Sequence, residues 1–224
     1  LLPEGKRKKT ITIKEIEATI ATMARIPPKT VSADDAAVLS TLDAELRRAA
    51  YKVAPIAIGT NTDPYQPIER DHGVMREVLQ VLAAFRHPVW ITTRGTLIER
   101  DIDILAPMAA QRLASVSISL TTLDADLARK MEPRAPAPKR RLAVIRALSA
   151  AGIPVRVQVS PLVPGLTDHE LEAVMAAAAE AGASHATSIP LRLPREVAAL
   201  FRDWIETTFP DRAAHVMNRV RELH

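Results

Sequence analysis

The chain has 224 residues, of which 47% are hydrophobic and 25% are charged, and its formal net charge is +4. These values are typical of a folded globular protein and exclude a disordered chain, a collagen and a coiled coil. Cysteine is absent. The sequence therefore excludes disulfides, thiolate zinc sites, a cysteine nucleophile and any iron–sulfur cluster bound by thiolates of this chain.

The positive charge is concentrated in residues 1–14, whose net charge equals the +4 of the whole chain. A solvated terminal segment is the favoured interpretation, and a phosphate-binding arm is the alternative, so nucleic-acid binding stays open. No stretch approaches the roughly 20 apolar residues that span a bilayer, and residues 1–4 do not resemble a secretory signal. We therefore expect a cytoplasmic protein without a membrane segment.

The pattern of residues 1–48 predicts a separate helical segment. A short β-prone run covers residues 10–13, and a first helix ends before Pro27. Ser32 and the two aspartates that follow it predict the start of a second helix, which continues to Leu46. No Gly/Ser-rich linker marks the junction, so the boundary near residue 48 rests on the change of pattern alone.

From residue 51 onward, apolar runs alternate with helical periodicity. Repeated units of this kind, about 30 residues long, predict right-handed crossovers and a parallel sheet, and hence an α/β fold. We expect the first run, 53–58, to be buried on both faces. Periodicity leaves open whether the sheet stays open or curls into a barrel. The predicted strands are 53–58, 89–91, 113–120, 155–159 and 189–193, and the predicted helices are 71–86, 102–108, 142–152, 171–181, 195–208 and 211–222.

Polar side chains follow the predicted strands at their carboxyl ends. Asp63 follows the first strand, Arg94 the second and Ser119 the third. In parallel α/β sheets the loops at these ends form the ligand sites. Together these side chains suit a zwitterionic ligand, with Asp63 accepting from an ammonium group and Arg94 pairing with a carboxylate. Composition favours equally the alternative that these residues only build turns and caps.

Other polar groups favour structural interpretations. Thr167 and Glu170 have the spacing of a capping box, and Asp101 and Asp103 lie beside a predicted helix start, where acidic residues are favoured. The six histidines lack metal-ligand spacing, so no metal site is predicted. The sequence also lacks the common glycine-rich phosphate loops and the G-x-S-x-G elbow, which argues against the usual nucleotide-binding and hydrolase classes.

The sequence GTNTDPYQPIE at residues 59–69 resembles the signature of radical S-adenosylmethionine (SAM) proteins related to spore photoproduct lyase, often labelled DNA repair photolyases. The resemblance continues through SVSISLTTLDADLARKMEPRAPAP (115–138) and GIPVRVQVSPLVPGLTDHELE (152–172), and it covers about residues 51–224. It implies an α/β fold of the radical SAM type, a parallel partial (β/α) barrel with about five strands retained. Such a barrel binds SAM across the tips of its strands.

The same resemblance implies roles for four residues. Thr62 and Asp63 match the segment near the amino group of SAM, and Ser119 matches a polar contact after the following strand. Arg94 stands near the ligand carboxylate where the family commonly has lysine, so the charge is kept but reach and geometry change. The CxxxCxxC loop that holds the family's iron–sulfur cluster has no counterpart here. Catalytic residues therefore stay unknown.

Residues 1–48 resemble a different protein, the stretch that joins the two ATPase modules of ClpA, the unfoldase subunit of Clp protease. The run ARIPPKTVS at residues 24–32 is the most specific part of this resemblance. Neither ATPase module is present, so the resemblance implies a connector without ATPase activity. The sequence as a whole then resembles a chimera, with a ClpA-like segment at 1–48 and a radical SAM-like barrel at 51–224.

We therefore predict a radical SAM-like protein that keeps part of the SAM site. Without the three cluster thiolates it cannot cleave SAM reductively by itself. The alternatives are a non-catalytic protein that binds Clp components, and an active photolyase-like enzyme whose cluster segment is missing from this chain. Enzymatic activity and substrate are left open. A barrel without its first strand exposes the edge of 53–58, so we expect appended helices to cover it or the protein to self-associate.

Overall fold

The computed structural model describes residues 42–222, apart from the side chains of residues 195 and 196. The chain divides into two compact units, Leu1–Lys52 and Val53–His224. The elements predicted within residues 1–41 lie outside the described residues, so covering of the sheet edge by appended helices stays a prediction. In the first unit residues 42–46 are helical, and Arg47 pairs with Asp43 at 2.8 Å on the exposed surface.

The second unit is built on one open sheet of five parallel strands. The strands are β1 (Ile56–Ile58), β2 (Val89–Thr93), β3 (Ala114–Ser119), β4 (Val155–Leu162) and β5 (His185–Pro190). Their order in the sheet is their order in the chain, as expected when every crossover connects neighbouring strands in the same sense. The predicted α/β class and the expected five parallel strands are confirmed.

Helices occupy the connections between these strands. Left-handed glycines end two of them as predicted, with φ of 76° at Gly152 and 101° at Gly182. The predicted helix 71–86 is divided by Gly73, whose φ is 68°. None of the helices among the described residues is long and apolar enough to cross a membrane. The α-helices are α1 (Glu69–His72), α2 (Val74–Ala84), α3 (Ile102–Ala110), α4 (Ala125–Met131), α5 (Pro138–Ala150), α6 (Leu171–Glu180), α7 (Arg195–Thr208) and α8 (Pro210–Glu222), with 3-10 helices at Leu97–Asp101 and Asp168–Glu170.

In β2, β3 and β4 one face of the sheet is buried, and the other is more open over the part of the chain that the structure describes. In β2, Val89 and Ile91 are at most 1% exposed, whereas Trp90 between them is 56% exposed. The expectation of a first strand buried on both faces is therefore wrong. β1 has only three residues, Ala57 at its centre is exposed, and Val53 before it is 66% exposed. Helical packing covers one face only, so side chains on the other face stay exposed.

Two further elements differ from the predictions. The fifth strand is His185–Pro190 rather than 189–193, and all six of its residues are exposed. An exposed strand lacks the apolar run that marks a buried one, which explains the error. Helix α4 was not predicted. It begins after Asp124, whose side chain accepts hydrogen bonds from the backbone N of Asp126 at 2.8 Å and of Leu127 at 3.1 Å.

The two closing helices, predicted at 195–208 and 211–222, are confirmed as α7 and α8. They pack against α4 and the segment after β4. Leu127, Val163 and Leu166 are buried in one cluster with Ile205 and Val216. Burying these side chains stabilises α4, which leads directly into a loop at the carboxyl ends of the strands.

Candidate functional site

Asp63 joins the loop after β1 to the end of β2. Its Oδ1 accepts hydrogen bonds from the backbone N of Tyr65 at 2.9 Å and from Thr93 Oγ1 at 2.6 Å. Its Oδ2 accepts from the backbone N of Arg94 at 2.8 Å. A carboxylate offers roughly four acceptor positions, so these bonds fix its orientation and leave Oδ2 able to accept once more.

Arg94 lies beside Asp63, but its closest partner is Glu132. The Nε of Arg94 is 3.9 Å from Asp63 Oδ2, and its Nη1 donates to Glu132 Oε1 at 2.5 Å. The Arg94 side chain is 46% exposed, and that of Glu132 is 12% exposed. The acid and the base that the sequence assigned to the ammonium group and the carboxylate of a ligand therefore lie together, next to a second acid.

Glu132 is held in turn by Arg141, whose side chain is only 2% exposed. Arg141 Nη2 donates to Glu132 Oε2 at 2.5 Å, and its Nε donates to the carbonyl oxygen of Pro136 at 2.8 Å. Its Nη1 donates to the carbonyl oxygen of Ser119 at 3.0 Å. A buried guanidinium is stable only with such partners. We call Asp63, Arg94, Glu132 and Arg141 the rim network.

The sequence selected four site residues, and the structure connects three of them. Asp63 and Arg94 are in direct contact, and Ser119, at the end of β3 and 5% exposed, is reached through its carbonyl group. Thr62 is exposed in the loop next to Asp63. The sequence reasoning missed Glu132 and Arg141, which are the first and last residues of the proline-rich segment EPRAPAPKRR. Its prolines and mixed charges were the only signal of an ordered loop there.

A cavity of about 410 Å³ lies at this rim, and Asp63 and Arg94 line it. The rest of its wall comes from residues 65–67, Gly95 and residues 131–136. Its volume falls within the range of about 300–1,000 Å³ that is usual for small-molecule sites. An acid and a base on one wall of a cavity can hold a small ligand that carries both charges.

A second cavity, of about 280 Å³, opens on the exposed face of the sheet. Trp90, Ser117, Arg156 and His185 line it, together with neighbouring strand residues. It contains none of the four residues that the sequence selected. The first cavity is therefore the one that agrees with the sequence analysis.

The loop after β1 is also anchored in an ion network that we call the buried network: Tyr65, Glu69, Arg76, Arg100 and Asp101. Asp101 is fully buried and accepts from Tyr65 Oη at 3.1 Å, Arg76 Nη1 at 3.0 Å and Arg100 Nε at 2.9 Å. Arg100 Nη2 also donates to Glu69 Oε1 at 2.7 Å. Burial raises the pKa of Tyr65, and the Asp101 charge adds to this rise. Asp101 makes no helix-cap hydrogen bond, so its main role is to hold the loop.

The predicted capping box at Thr167 and Glu170 is wrong. Thr167 Oγ1 accepts from the backbone N of Val163 at 2.9 Å and caps no helix. The Glu170 carboxylate instead accepts from Thr122 Oγ1 at 2.7 Å and from the backbone N of Leu123 at 2.8 Å. A 3-10 turn precedes α6, so Glu170 points toward the loop after β3 rather than back to the backbone of Thr167.

The side chains available for metal coordination decide whether this chain can hold a metal cluster. All 224 residues lack cysteine, and residues 42–222 contain no group of three or more histidine, aspartate or glutamate side chains that could hold a metal ion. The residues present therefore do not fit a thiolate-ligated iron–sulfur cluster. The acid, the base and the cavity at the rim do fit a zwitterionic organic ligand.

Known proteins resemble this chain in sequence. An uncharacterized protein of Mycobacterium tuberculosis is 38% identical over 189 residues, which cover 84% of this chain and 54% of the relative. The chain therefore spans about half the length of that relative. A ClpA homolog protein of Fuscovulum blasticum is 49% identical over 51 residues, which are 23% of this chain and 6% of that protein. This second match is short and partial.

Two solved structures share the fold. A spore photoproduct lyase variant has a TM-score of 0.59 at 13% identity, over 79% of this chain and 51% of the other. SuiB of Streptococcus suis, bound to S-adenosylmethionine, has a TM-score of 0.52 at 16% identity, over 79% of this chain and 41% of the other.

The sequence model of the family described as "Radical SAM superfamily" matches residues 5–178 of this chain. This match includes most of the segment 1–48, so the ClpA-like assignment of that segment and the two-domain division stay predictions. The match covers most of the chain and agrees with the fold, and the chain therefore belongs to the radical SAM superfamily.

Proposed function

We propose that this chain binds SAM at the rim network and that its 224 residues do not perform reductive SAM cleavage by themselves. Asp63 accepts from the ligand ammonium group through Oδ2, and Arg94 pairs with the ligand carboxylate. Thr62 and Ser119 contribute polar contacts at the carboxyl ends of β1 and β3. Within the superfamily, we propose that the barrel is closest in type to the DNA repair photolyase-like group.

The observation that carries this proposal is the pairing of Asp63 and Arg94 on one cavity wall. The Nε of Arg94 and Oδ2 of Asp63 are 3.9 Å apart, and both residues line the 410 Å³ cavity. The amino-acid end of SAM carries an ammonium and a carboxylate on one carbon, so neighbouring protein charges of opposite sign match it. The fold neighbours support the proposal, since solved structures of SuiB and of a spore photoproduct lyase variant hold SAM.

The limit on catalysis follows from the donor set. Bound SAM would supply the sulfonium that radical SAM enzymes cleave, and cleavage needs one electron from a cluster held by three thiolates. The 224 residues of this chain contain no cysteine and so supply no thiolate. The roles of this chain's own residues are therefore to bind and orient the ligand. Thiolates from a segment outside these 224 residues would make the same rim part of an active enzyme.

Calorimetric titration of the 224-residue chain with SAM tests the proposal. We expect a dissociation constant in the micromolar range, weakened roughly 10-fold or more by Asp63→Ala and by Arg94→Ala, which corresponds to at least about 1.4 kcal/mol. Arg140→Ala is the matched control, because Arg140 pairs with Glu99 and does not line the cavity. 5′-Methylthioadenosine, which lacks the amino-acid end, should bind weakly and respond to neither rim variant. No SAM binding, or equal binding by all variants, would overturn the proposal.

The match to a ClpA homolog supports a second candidate function. Residues 1–48 would dock this chain to a Clp-type assembly without any chemistry of its own. Pull-down with purified Clp components should then succeed for the full chain and fail when residues 1–48 are deleted. If neither form associates, this candidate is removed and the SAM proposal is unaffected.

A further inference from the structure

The segment between α4 and α5 is fixed by one buried guanidinium. Arg141 is 2% exposed and makes three hydrogen bonds, to Glu132, to the carbonyl oxygen of Pro136 and to the carbonyl oxygen of Ser119. Glu132 is the acid that compensates this buried charge, and separating the two would leave an uncompensated ion in the interior. The Glu132 carboxylate is therefore held in one place before any ligand arrives.

The second oxygen of this carboxylate faces the rim. Glu132 Oε1 accepts from Arg94 Nη1 at 2.5 Å, while Arg94 itself is 46% exposed. A free arginine side chain has about 2 kcal/mol of rotamer entropy to lose on binding. Because Glu132 already restricts Arg94, most of that entropy is lost on folding rather than when the ligand binds, and such preorganisation raises affinity.

The charges around Arg94 leave it able to bind an anion. Arg141 compensates Glu132 on the protein side, so Glu132 does not use up the whole charge of Arg94. The contacts of Arg94 involve Nη1 with Glu132 and Nε near Asp63. Its Nη2 group is not used in either contact. A carboxylate can therefore bind at Nη2 without displacing Glu132.

We infer that Glu132 is a positioning residue of the ligand site, that it orients Arg94 toward the ligand carboxylate, and that Arg141 sets its position. This inference rests on the proposed function, because it assigns a role toward the carboxylate of SAM. It goes beyond the proposed function because it adds Glu132 and Arg141 to the site, although neither residue is expected to touch the ligand. It also explains why two charged residues converge beside a proline-rich loop.

A double-mutant cycle on SAM affinity tests the inference. Glu132→Ala alone would leave Arg141 uncompensated, so the informative change is the pair Glu132→Ala with Arg141→Met, which removes both charges and is often tolerated. We expect this pair to weaken SAM binding roughly 10-fold when Arg94 is present and less than about twofold in an Arg94→Ala background. Thermal melting of every variant checks that each is folded, and Arg140→Ala remains the matched arginine control.

The outcomes separate the inference from the proposed function. Equal weakening in both backgrounds would mean general damage to the site, and unchanged or tighter binding with Arg94 present would mean that Glu132 does not position Arg94. Either result overturns the inference while SAM binding by the unchanged chain stands. Failure of the unchanged chain to bind SAM would overturn both.

A second readout needs no ligand. The Arg94 Nε–H resonance in a ¹⁵N NMR spectrum should be a single sharp signal in the unchanged chain and should broaden or shift toward solvent-exposed arginines in the pair variant. Assignment by Arg94→Lys identifies the signal. A signal that is already averaged in the unchanged chain would contradict a fixed Arg94.

Discussion

The buried network and the rim network are both built around arginine–carboxylate pairs but differ in how far the central carboxylate is exposed. In the buried network Asp101 is fully buried and accepts from a tyrosine and two arginines. In the rim network Asp63 is 18% exposed and Arg94 is 46% exposed, and both line a cavity. Residue type therefore does not separate a structural ion pair from a proposed ligand site, whereas exposure beside a cavity distinguishes the two networks.

Both networks are attached to one loop, residues 59–69. Tyr65 and Glu69 tie this loop into the buried network, and Asp63, only two residues before Tyr65, belongs to the rim. The loop is thus anchored through the buried carboxylate of Asp101 and offers the partly exposed carboxylate of Asp63 to the cavity. Stability should therefore respond to substitutions in both networks, and ligand binding mainly to substitutions in the rim network.

The largest effect is expected at Asp101. Asp101→Ala leaves Arg76, Arg100 and the Tyr65 hydroxyl without their shared acceptor, and breaking a buried ion pair costs about 3–5 kcal/mol. Urea denaturation followed by circular dichroism measures the free energy of unfolding. Asp103→Asn is the control, since Asp103 is 59% exposed and its pair with Arg76 should contribute less than about 1 kcal/mol. Similar losses for the two variants would contradict the distinction between the networks.

The next effect is expected at Gly59, where the loop begins. Gly59 has a φ of 87°, and an added Cβ would lie 1.9 Å from the carbonyl oxygen of Thr92. Gly59→Ala should therefore cost more than the ~1–2 kcal/mol of a left-handed residue alone. Gly73→Ala is the matched control, because Gly73 also has a positive φ of 68° but open space around it. Equal destabilisation by the two alanines in the same denaturation experiment would show that the close approach of Thr92 is unimportant.

The sequence predicted most of the second unit because buried strands and amphipathic helices carry periodic signals. β2, β3 and β4 were located because one face of each is apolar and buried. β5 was misplaced because it is exposed throughout. The division of the helix at Gly73 was also missed, since a single glycine inside a periodic run carries no clear sign of a break.

The residues that lie together at the rim were located in part for a similar reason. Asp63 and Arg94 lie in the loops after β1 and β2, and Ser119 ends β3, so the sheet topology brings them to one edge. Glu132 and Arg141 join them through the loop that follows α4, and the path of such a loop depends on packing rather than on local pattern. Asp101 was interpreted as a helix-start residue, because its partners Tyr65 and Arg76 are distant in sequence and only the fold brings them together.

A smaller effect should distinguish the two charges of the rim. Asp63→Ala removes three hydrogen bonds that join the loop to β2, which should lower the free energy of unfolding by about 1–3 kcal/mol. Arg94→Ala removes an exposed pair and should change it by less than about 1 kcal/mol. Both should weaken SAM binding, so calorimetry and denaturation together separate them. Matching stability losses would mean that Arg94, like Asp63, mainly holds the structure together.

The smallest effect is expected in the alkaline range. Burial among the charges of Asp101 and Glu69 raises the pKa of Tyr65 above the 10.0 of a free tyrosine. In the unfolded chain this tyrosine loses its proton near pH 10, while in the folded chain it keeps it. The contribution of protonated Tyr65 to the free energy of unfolding is therefore complete below pH 10, and it is lost as the pH rises toward the folded-state pKa.

Unfolding free energies measured at pH 8 and pH 11 test this sign. The unchanged chain should lose about 1 kcal/mol more than Tyr65→Phe between the two values, because the phenylalanine variant has no proton to release at that position. Tyr51→Phe, which changes a tyrosine in the first unit, should keep the full pH dependence. If Tyr65→Phe loses as much stability as the unchanged chain, Tyr65 is accessible enough to ionise in the folded state. Solvent would then reach the buried network, although Asp101, which accepts the hydrogen bond from Tyr65, is fully buried.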